Sequence, residues 1–226
     1  MLLIGETGTG KELVAHAIHK LSNRHTQPYI AINCGAIPET LIESELFGHE
    51  KGSFTGADRQ RMGVFEQSQN GTLFLDEVTE MEPALQVRLL RVLETGEYYR
   101  VGGTQKLLTR ARVIAATNVE PEEALKEGKL RLDLYYRLAV LPLYIPALRE
   151  RIEDIPILAD CFLTALAEEL GEYKQLTAEA ISYLQTQQWP GNIRQLRNEV
   201  SRAYVLTDGS TIGIASFNVY PKPNVS

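Results

Sequence analysis

Gly5, Glu6, Thr7, Gly8, Thr9, Gly10 and Lys11 spell the G-x-x-x-x-G-K spacing of a loop that cradles phosphate. The apolar residues LLI precede the loop and a helical pattern follows it. Backbone N–H groups from Gly8 to Lys11 can therefore face phosphate oxygens, aided by the dipole at the helix N-terminus. Lys11 would reach the β- and γ-phosphates. The general pattern continues with Ser or Thr on a magnesium ion, whereas this chain has Glu12. Magnesium takes oxygen ligands and keeps several waters, so a strand-end carboxylate with phosphates and water can hold it without that hydroxyl. Glu12 in a first helical turn is favoured by the dipole. Such a carboxylate is present downstream: GTLFLDE, residues 71–77, is an apolar strand ending in Asp76, suited to Mg²⁺, and Glu77, suited to polarising a water.

The elements that must position these residues follow from hydrophobic periodicity. Five short apolar runs read as strands: LLI, YIAI before Asn33, TLFL before Asp76, RVIAA before Thr117 and Asn118, and VLPLYI before Pro146. Helical patterns occupy 11–23, about 39–47 and 83–95 between them. This alternation predicts an α/β fold with a parallel sheet flanked by helices, whose ligands lie at the carboxyl ends of the strands. Lys11, Asn33, Asp76 with Glu77, and Asn118 then converge on one edge. Taken singly, Asn33 and Asn118 suit ordinary turns equally well. After Pro146 only helices are expected, at about 153–170, 177–187 and 191–207, forming a small lid. The expected division is 1–148 for the α/β nucleotide-binding part, 149–209 for the helical lid, and a tail at 210–226.

The composition, with 44% hydrophobic and 23% charged residues, is that of a soluble globular protein and excludes a disordered chain. The net charge of −6 argues against a broad nucleic-acid surface. No apolar run approaches the roughly 18 residues of a membrane span, and the first residues lack the parts of a signal peptide, so a cytoplasmic location is expected. Cys34 and Cys161 are expected as buried reduced thiols, and His16 and His19 as surface positions.

GETGTGKE, INCGAIPETLIESELFGHEKGSFTGA, GTLFLDE, RVIAATN, LRLDLYYRL, LRERIEDIP and WPGNIRQLRNEV together resemble the AAA+ domain of NtrC-type bacterial enhancer-binding activators, which work on the sigma-54 form of RNA polymerase. The resemblance covers residues 1 to about 212, and this family itself carries Glu after the loop lysine. It implies an α/β P-loop NTPase, or AAA+, fold with a helical lid, ATP and Mg²⁺ as cofactors, and ATP hydrolysis in a hexameric ring of identical chains. It further implies that the sigma-54 RNA polymerase holoenzyme is the partner, with no direct DNA binding by this chain and no membrane.

Residue by residue, GSFTGA at 52–57 is similar to the family's sigma-54-contacting loop G-A-F-T-G-A, with Phe54 and Thr55 as the contacting pair and Ser53 in place of Ala. Phe54, set between glycines in what reads as a helical stretch, is costly to expose unless a partner takes it. The resemblance makes Arg131 and Arg137 arginine fingers for a neighbouring subunit. Their spacing of six predicts different sides of one helix. It makes Arg194 the lid sensor, Asn33 the residue restraining the catalytic Glu77, and Asn118 the first sensor. YYRVGGTQK, 98–106, resembles a second inserted loop that supports the first. Family domains usually start some twenty or more residues before the loop, so one rival expectation is a binding remnant that does not turn over ATP; a separate one, which the GSFTGA loop discriminates, is an AAA+ machine with another client.

Overall fold

The structure is a computed structural model describing residues 1–217. It falls into two compact units, one comprising Met1–Gly5 and Lys11–Ile145, the other Glu6–Gly10 and the described residues from Pro146 to Phe217.

In the first unit β1 (Leu2–Ile4) is followed by α1 (Lys11–Lys20), β2 (Tyr29–Asn33), α2 (Glu39–Phe47), α3 (Val64–Ser68), β3 (Thr72–Asp76), α4 (Pro83–Thr95), β4 (Glu97–Tyr99) and β5 (Lys106–Leu108). Then come β6 (Arg112–Thr117), α5 (Pro121–Lys126), α6 (Leu132–Leu138) and β7 (Pro142–Tyr144). Five strands form a parallel sheet in the order β2-β3-β6-β1-β7, as the alternating pattern predicts. Side chains alternate between its faces. Leu3, Phe74, Ile114 and Ala116 pack with Ala15 of α1, whereas Leu2, Ile4, Leu73, Leu75 and Ala115 pack with apolar residues of α2, α3 and α4. Both faces are covered, which is why these strands read as unbroken apolar runs. The register sets Asn33 beside Asp76 and Ile4 beside Thr117, so the polar residues that end the strands share one edge.

Four expectations need correction here. Residues 48–63 form turns and bends, not helix, because glycines at 48, 52 and 56 take positive φ. Arg131 has extended backbone (φ −76°, ψ 140°) at the N-cap of α6 and lies outside the helix that carries Arg137. His19 is buried, its Nδ1 2.9 Å from Thr72 Oγ1, so helix spacing alone misassigned it to the surface. Cys34 is buried as expected, but Cys161 is exposed.

The second unit contains α7 (Ile155–Leu170), β8 (Gln175–Leu176), α8 (Ala178–Gln185), α9 (Asn192–Leu206) and β9 (Thr211–Ile212). Ile155, Ala159 and Leu163 of α7, Leu184 of α8, and Leu196, Val200 and Tyr204 of α9 form its core with Trp189. These positions recur every three or four residues, the stripe an amphipathic helix buries. Thr177 caps α8 by accepting from Ala180 N–H at 3.1 Å. The tail expected from 210 is folded as far as the described residues go: β9 pairs in parallel with β8, and Ile212 and Phe217 are buried. Two-residue strands carry no readable periodicity, which explains the miss; the rest of that expected tail, 218–226, lies outside the described residues. Among the described residues no helix is long and apolar enough to cross a membrane.

Candidate functional site

At the carboxyl edge of the sheet β3 ends in Asp76, and the chain turns at once through Glu77, whose φ of 55° and ψ of 49° are left-handed. A non-glycine residue there costs about 1–3 kcal/mol, a strain that clusters at functional sites. The Asp76 carboxylate accepts from Glu77 N–H at 3.1 Å. Burial raises the Asp76 pKa above the ordinary carboxylate value, the Lys11 ammonium opposes that shift, and the negative charges of Glu77 and Glu12 add to it. Three carboxylates, of which Asp76 is desolvated, thus act on one another beside one ammonium, a charge set that suits a divalent cation held together with phosphate oxygens. Lys11 is 7% exposed and donates from Nζ to the Gly5 carbonyl at 2.7 Å. Glu12 is exposed in the first turn of α1.

Asn33 and Asn118 sit on the same edge. Asn33 Oδ1 accepts from Gly35 and Ala36 N–H, both at 2.9 Å, so this oxygen closes its own turn. That turn also meets the Glu77 carboxylate: a Cβ on Gly35 would lie 2.8 Å from Glu77 Oε2. Asn118 follows β6, where the buried Thr117 Oγ1 donates to Val119 O at 2.9 Å and accepts from Val119 N–H at 3.1 Å.

The inner loop residues, Glu6 to Gly10, pack with the lid residues of the second unit. Arg149 pairs with both Glu6 oxygens, at 2.9 and 2.6 Å, and Asn192 Nδ2 donates to Glu6 Oε2 and to Thr7 O, each at 3.0 Å. Gly8 O accepts from Ile193 N–H at 2.9 Å and Arg194 N–H at 3.3 Å, and Thr9 O accepts from Arg151 at 3.0 Å. Gly8 approaches the lid so closely that a Cβ would lie 2.4 Å from Gly191 O, and its φ of +79° is a second reason for glycine. Arg194 is exposed on the first turn of α9, beside Gly8. Arg149, Arg151 and Asn192 were not singled out from the sequence, although all three fall within LRERIEDIP and WPGNIRQLRNEV.

The Arg149 and Asn192 hydrogen bonds hold the Glu6 pKa down at about 2, against an ordinary 4.5. A depressed carboxylate pKa contributes stability that is complete above pH 4.5 and lost as pH falls from there toward 2. Both partners are more than a third exposed, which limits the contribution to under about 1 kcal/mol. In denaturant titrations the stability gap between wild type and Glu6→Gln should be flat above pH 5 and close toward pH 2. A gap that widens with acid would exclude this pairing.

Arg131 and Arg137 are both exposed. Arg131 donates to both Asp133 oxygens, at 3.1 and 2.7 Å, while its backbone N–H is fixed by the buried Gln86 Oε1 at 3.0 Å. Arg137 donates to Leu93 O, the nearer contact at 2.5 Å. Phe54 and Thr55 are exposed at the tip of the 48–63 loop, with the Phe54 ring edge-on to His49 at 5.0 Å. The neck of this loop is tight, since a Cβ on Gly63 would lie 2.2 Å from Gly48 N. His49 bridges both Arg61 and Val101, which joins the neck to the chain after β4. At the tip, a Cβ on Gly102 would lie 2.6 Å from Ser53 Cβ, so the second inserted loop touches the first at the position where Ser replaces Ala.

The comparisons with known proteins show the family and the fold. Residues 1–144 match the sigma-54 interaction domain, and residues 149–224 match the AAA+ ATPase lid domain. The chain is 51% identical to the Nif-specific regulatory protein of Azotobacter vinelandii, over 94% of this chain and 41% of that protein. It is 53% identical to the DNA-binding transcriptional regulator NtrC of Klebsiella pneumoniae, over 94% and 45%. It therefore spans less than half the length of these relatives. NtrX from Brucella abortus in complex with ADP has a TM-score of 0.89 and 36% identity, covering 99% of this chain and 52% of that one. The chain belongs to the sigma-54 interaction domain family, carried on an AAA+ fold with its lid.

Proposed function

We propose that this chain is the ATP-hydrolysing core of a sigma-54-dependent transcription activator, working as a ring of identical subunits. The observation that carries the reading is the strained Glu77 directly after the desolvated Asp76, on the sheet edge that also holds the buried Lys11. In this reading the loop from Gly5 to Lys11 binds the triphosphate and Asp76 holds Mg²⁺, which supplies charge neutralisation on the phosphates when bound. Glu77 orients the attacking water and takes its proton. Asn33 restrains Glu77 through the turn they share, Asn118 and Arg194 sense the γ-phosphate, and Arg131 and Arg137 complete the neighbour's site. The ADP complex of NtrX supports the nucleotide-binding part of this reading.

The partner-facing part of the reading rests on Phe54 and Thr55, exposed on a loop with a rigid neck. Hydrolysis would move this loop against sigma-54 and remodel the closed promoter complex. Thr55→Ala is expected to leave ATP turnover within about twofold and to lower open-complex formation roughly tenfold or more, the equivalent of about 1.4 kcal/mol of lost coupling. The test compares phosphate release with promoter opening by sigma-54 polymerase. Equal loss of both would return Thr55 to a structural role, and survival of both would favour a different client.

A further inference from the structure

We propose that Asn192 is a positioning residue for the phosphate loop, aiming the loop's amides at the nucleotide phosphates from its place at the start of the lid helix α9. The proposal rests on the nucleotide-binding reading above. Asn192 is fully buried, with a φ of +51°. Asparagine tolerates that conformation better than most residues, yet it is still strained and persists only where the surroundings require it.

Its side chain is used on both sides. Oδ1 accepts from Leu148 N–H at 2.8 Å, inside the lid, while Nδ2 donates to Glu6 Oε2 and Thr7 O in the loop. The two following residues continue the same contact, because Ile193 and Arg194 N–H both donate to Gly8 O. These are first-turn amides that have no partner within their own helix, and the loop carbonyl satisfies them. With Arg151 on Thr9 O, three consecutive loop carbonyls, at 7, 8 and 9, are turned toward lid donors.

A trans peptide is planar, with its C=O and the next N–H pointing in opposite directions. Drawing the carbonyls of Thr7, Gly8 and Thr9 toward the lid therefore turns the N–H groups of Gly8 and Gly10 the other way, as an anion-binding nest needs, while Thr9 N–H closes the loop on Glu6 O at 3.4 Å. Glycines permit this conformation but do not select it. Asn192 selects it, as the buried side chain that reads both the lid backbone and the loop. The Glu6–Arg149 pair is exposed and screened, so it assists without deciding.

Three variants of the full chain test this: Asn192→Asp, Asn192→Gly, and Asn192→Asp combined with Glu6→Gln. The Asp variant keeps the acceptor for Leu148 but sets a carboxylate against Glu6. The Gly variant keeps the positive φ without strain and loses the amide, so it carries the test if the Asp variant fails to fold. The measurements are the affinity for a fluorescent ATP analogue with Mg²⁺ and, without nucleotide, hydrogen exchange at the amides of Ile193 and Arg194, which donate to Gly8 O.

Both single variants are expected to lose about ten- to hundredfold in affinity and to exchange these amides at least roughly tenfold faster, the scale of one or two lost hydrogen bonds. The double variant should regain part of the loss, since the amide introduced at position 6 can donate to the carboxylate introduced at position 192. Folded single variants with wild-type affinity and wild-type exchange would overturn the proposal. If wild type itself binds no analogue, the nucleotide reading falls. The exchange comparison then still decides whether Asn192 orders the loop.

Discussion

Glu77→Gln is expected to lower ATP turnover by about 10²–10⁴-fold, the usual contribution of a general base, while nucleotide affinity and thermal stability stay close to wild type. The substitution keeps the size and the hydrogen-bonding reach of the side chain and removes only its capacity to accept a proton. Its backbone is already in the left-handed region, and Gln suits that conformation no better than Glu, so the strain is unchanged. The neighbouring Asp76 should respond: one negative charge that raises its pKa disappears, so Asp76 should stay ionised to lower pH in the variant. Phosphate release measured beside analogue binding decides the matter. Turnover within about threefold of wild type would remove Glu77 from the proton transfer and, with it, the observation on which the enzymatic reading stands.

Arg131→Ala and Arg137→Ala are each expected to cost about 10³–10⁵ in turnover, the range for an arginine finger, with little effect on nucleotide binding by the isolated subunit. In the single chain both guanidinium groups are engaged locally, Arg131 with Asp133 and Arg137 with Leu93 O, and both are exposed. In the finger role a neighbour's phosphates would compete with an exposed ion pair and a carbonyl contact, each weak enough to be exchanged. Wild-type specific activity should climb with protein concentration as subunits assemble, and that of either variant should stay near zero. The sharper test mixes subunits. A ring combining Arg131→Ala with Glu77→Gln contains some interfaces where an intact Glu77 faces an intact Arg131, so mixing should restore activity that neither variant has alone. Failure to complement would place Arg131 in its own subunit's site or outside the chemistry.

Local pattern made much of the architecture legible. The unbroken apolar runs ending in Asn33, Asp76 and Thr117 are strands buried on both faces, and their parallel register brings the polar ends to one edge as alternation with helices predicts. α4 has the predicted span because its apolar period is clear and Gly96 stops it, and α2 ends as predicted where Gly48 stops it. Elements governed by contacts far along the chain were not legible. The neck of the 48–63 loop is set by backbone approach between Gly48 and Gly63 and by bridges to Arg61 and Val101, none of which has a local period. Arg131 reads as helical by spacing, but Gln86 on another helix holds its N–H at the cap.

Spacing and local pattern alone made legible a glycine-lysine loop suited to phosphate, two carboxylates at a strand end, and a family resemblance that the comparisons bear out. These are covalent facts of spacing, and local periodicity is enough to put them on strands, helices and turns. How the loop is held follows from contacts that exist only in the folded chain. Gly8 is required where it meets Gly191 O, and Asn192, which also holds Leu148, reaches Glu6 and Thr7 at separations of 186 and 185 positions of chain. Hydrogen bonds and close backbone contacts depend on distance in space, and no property of an eight-residue stretch contains the partner that folding brings to it.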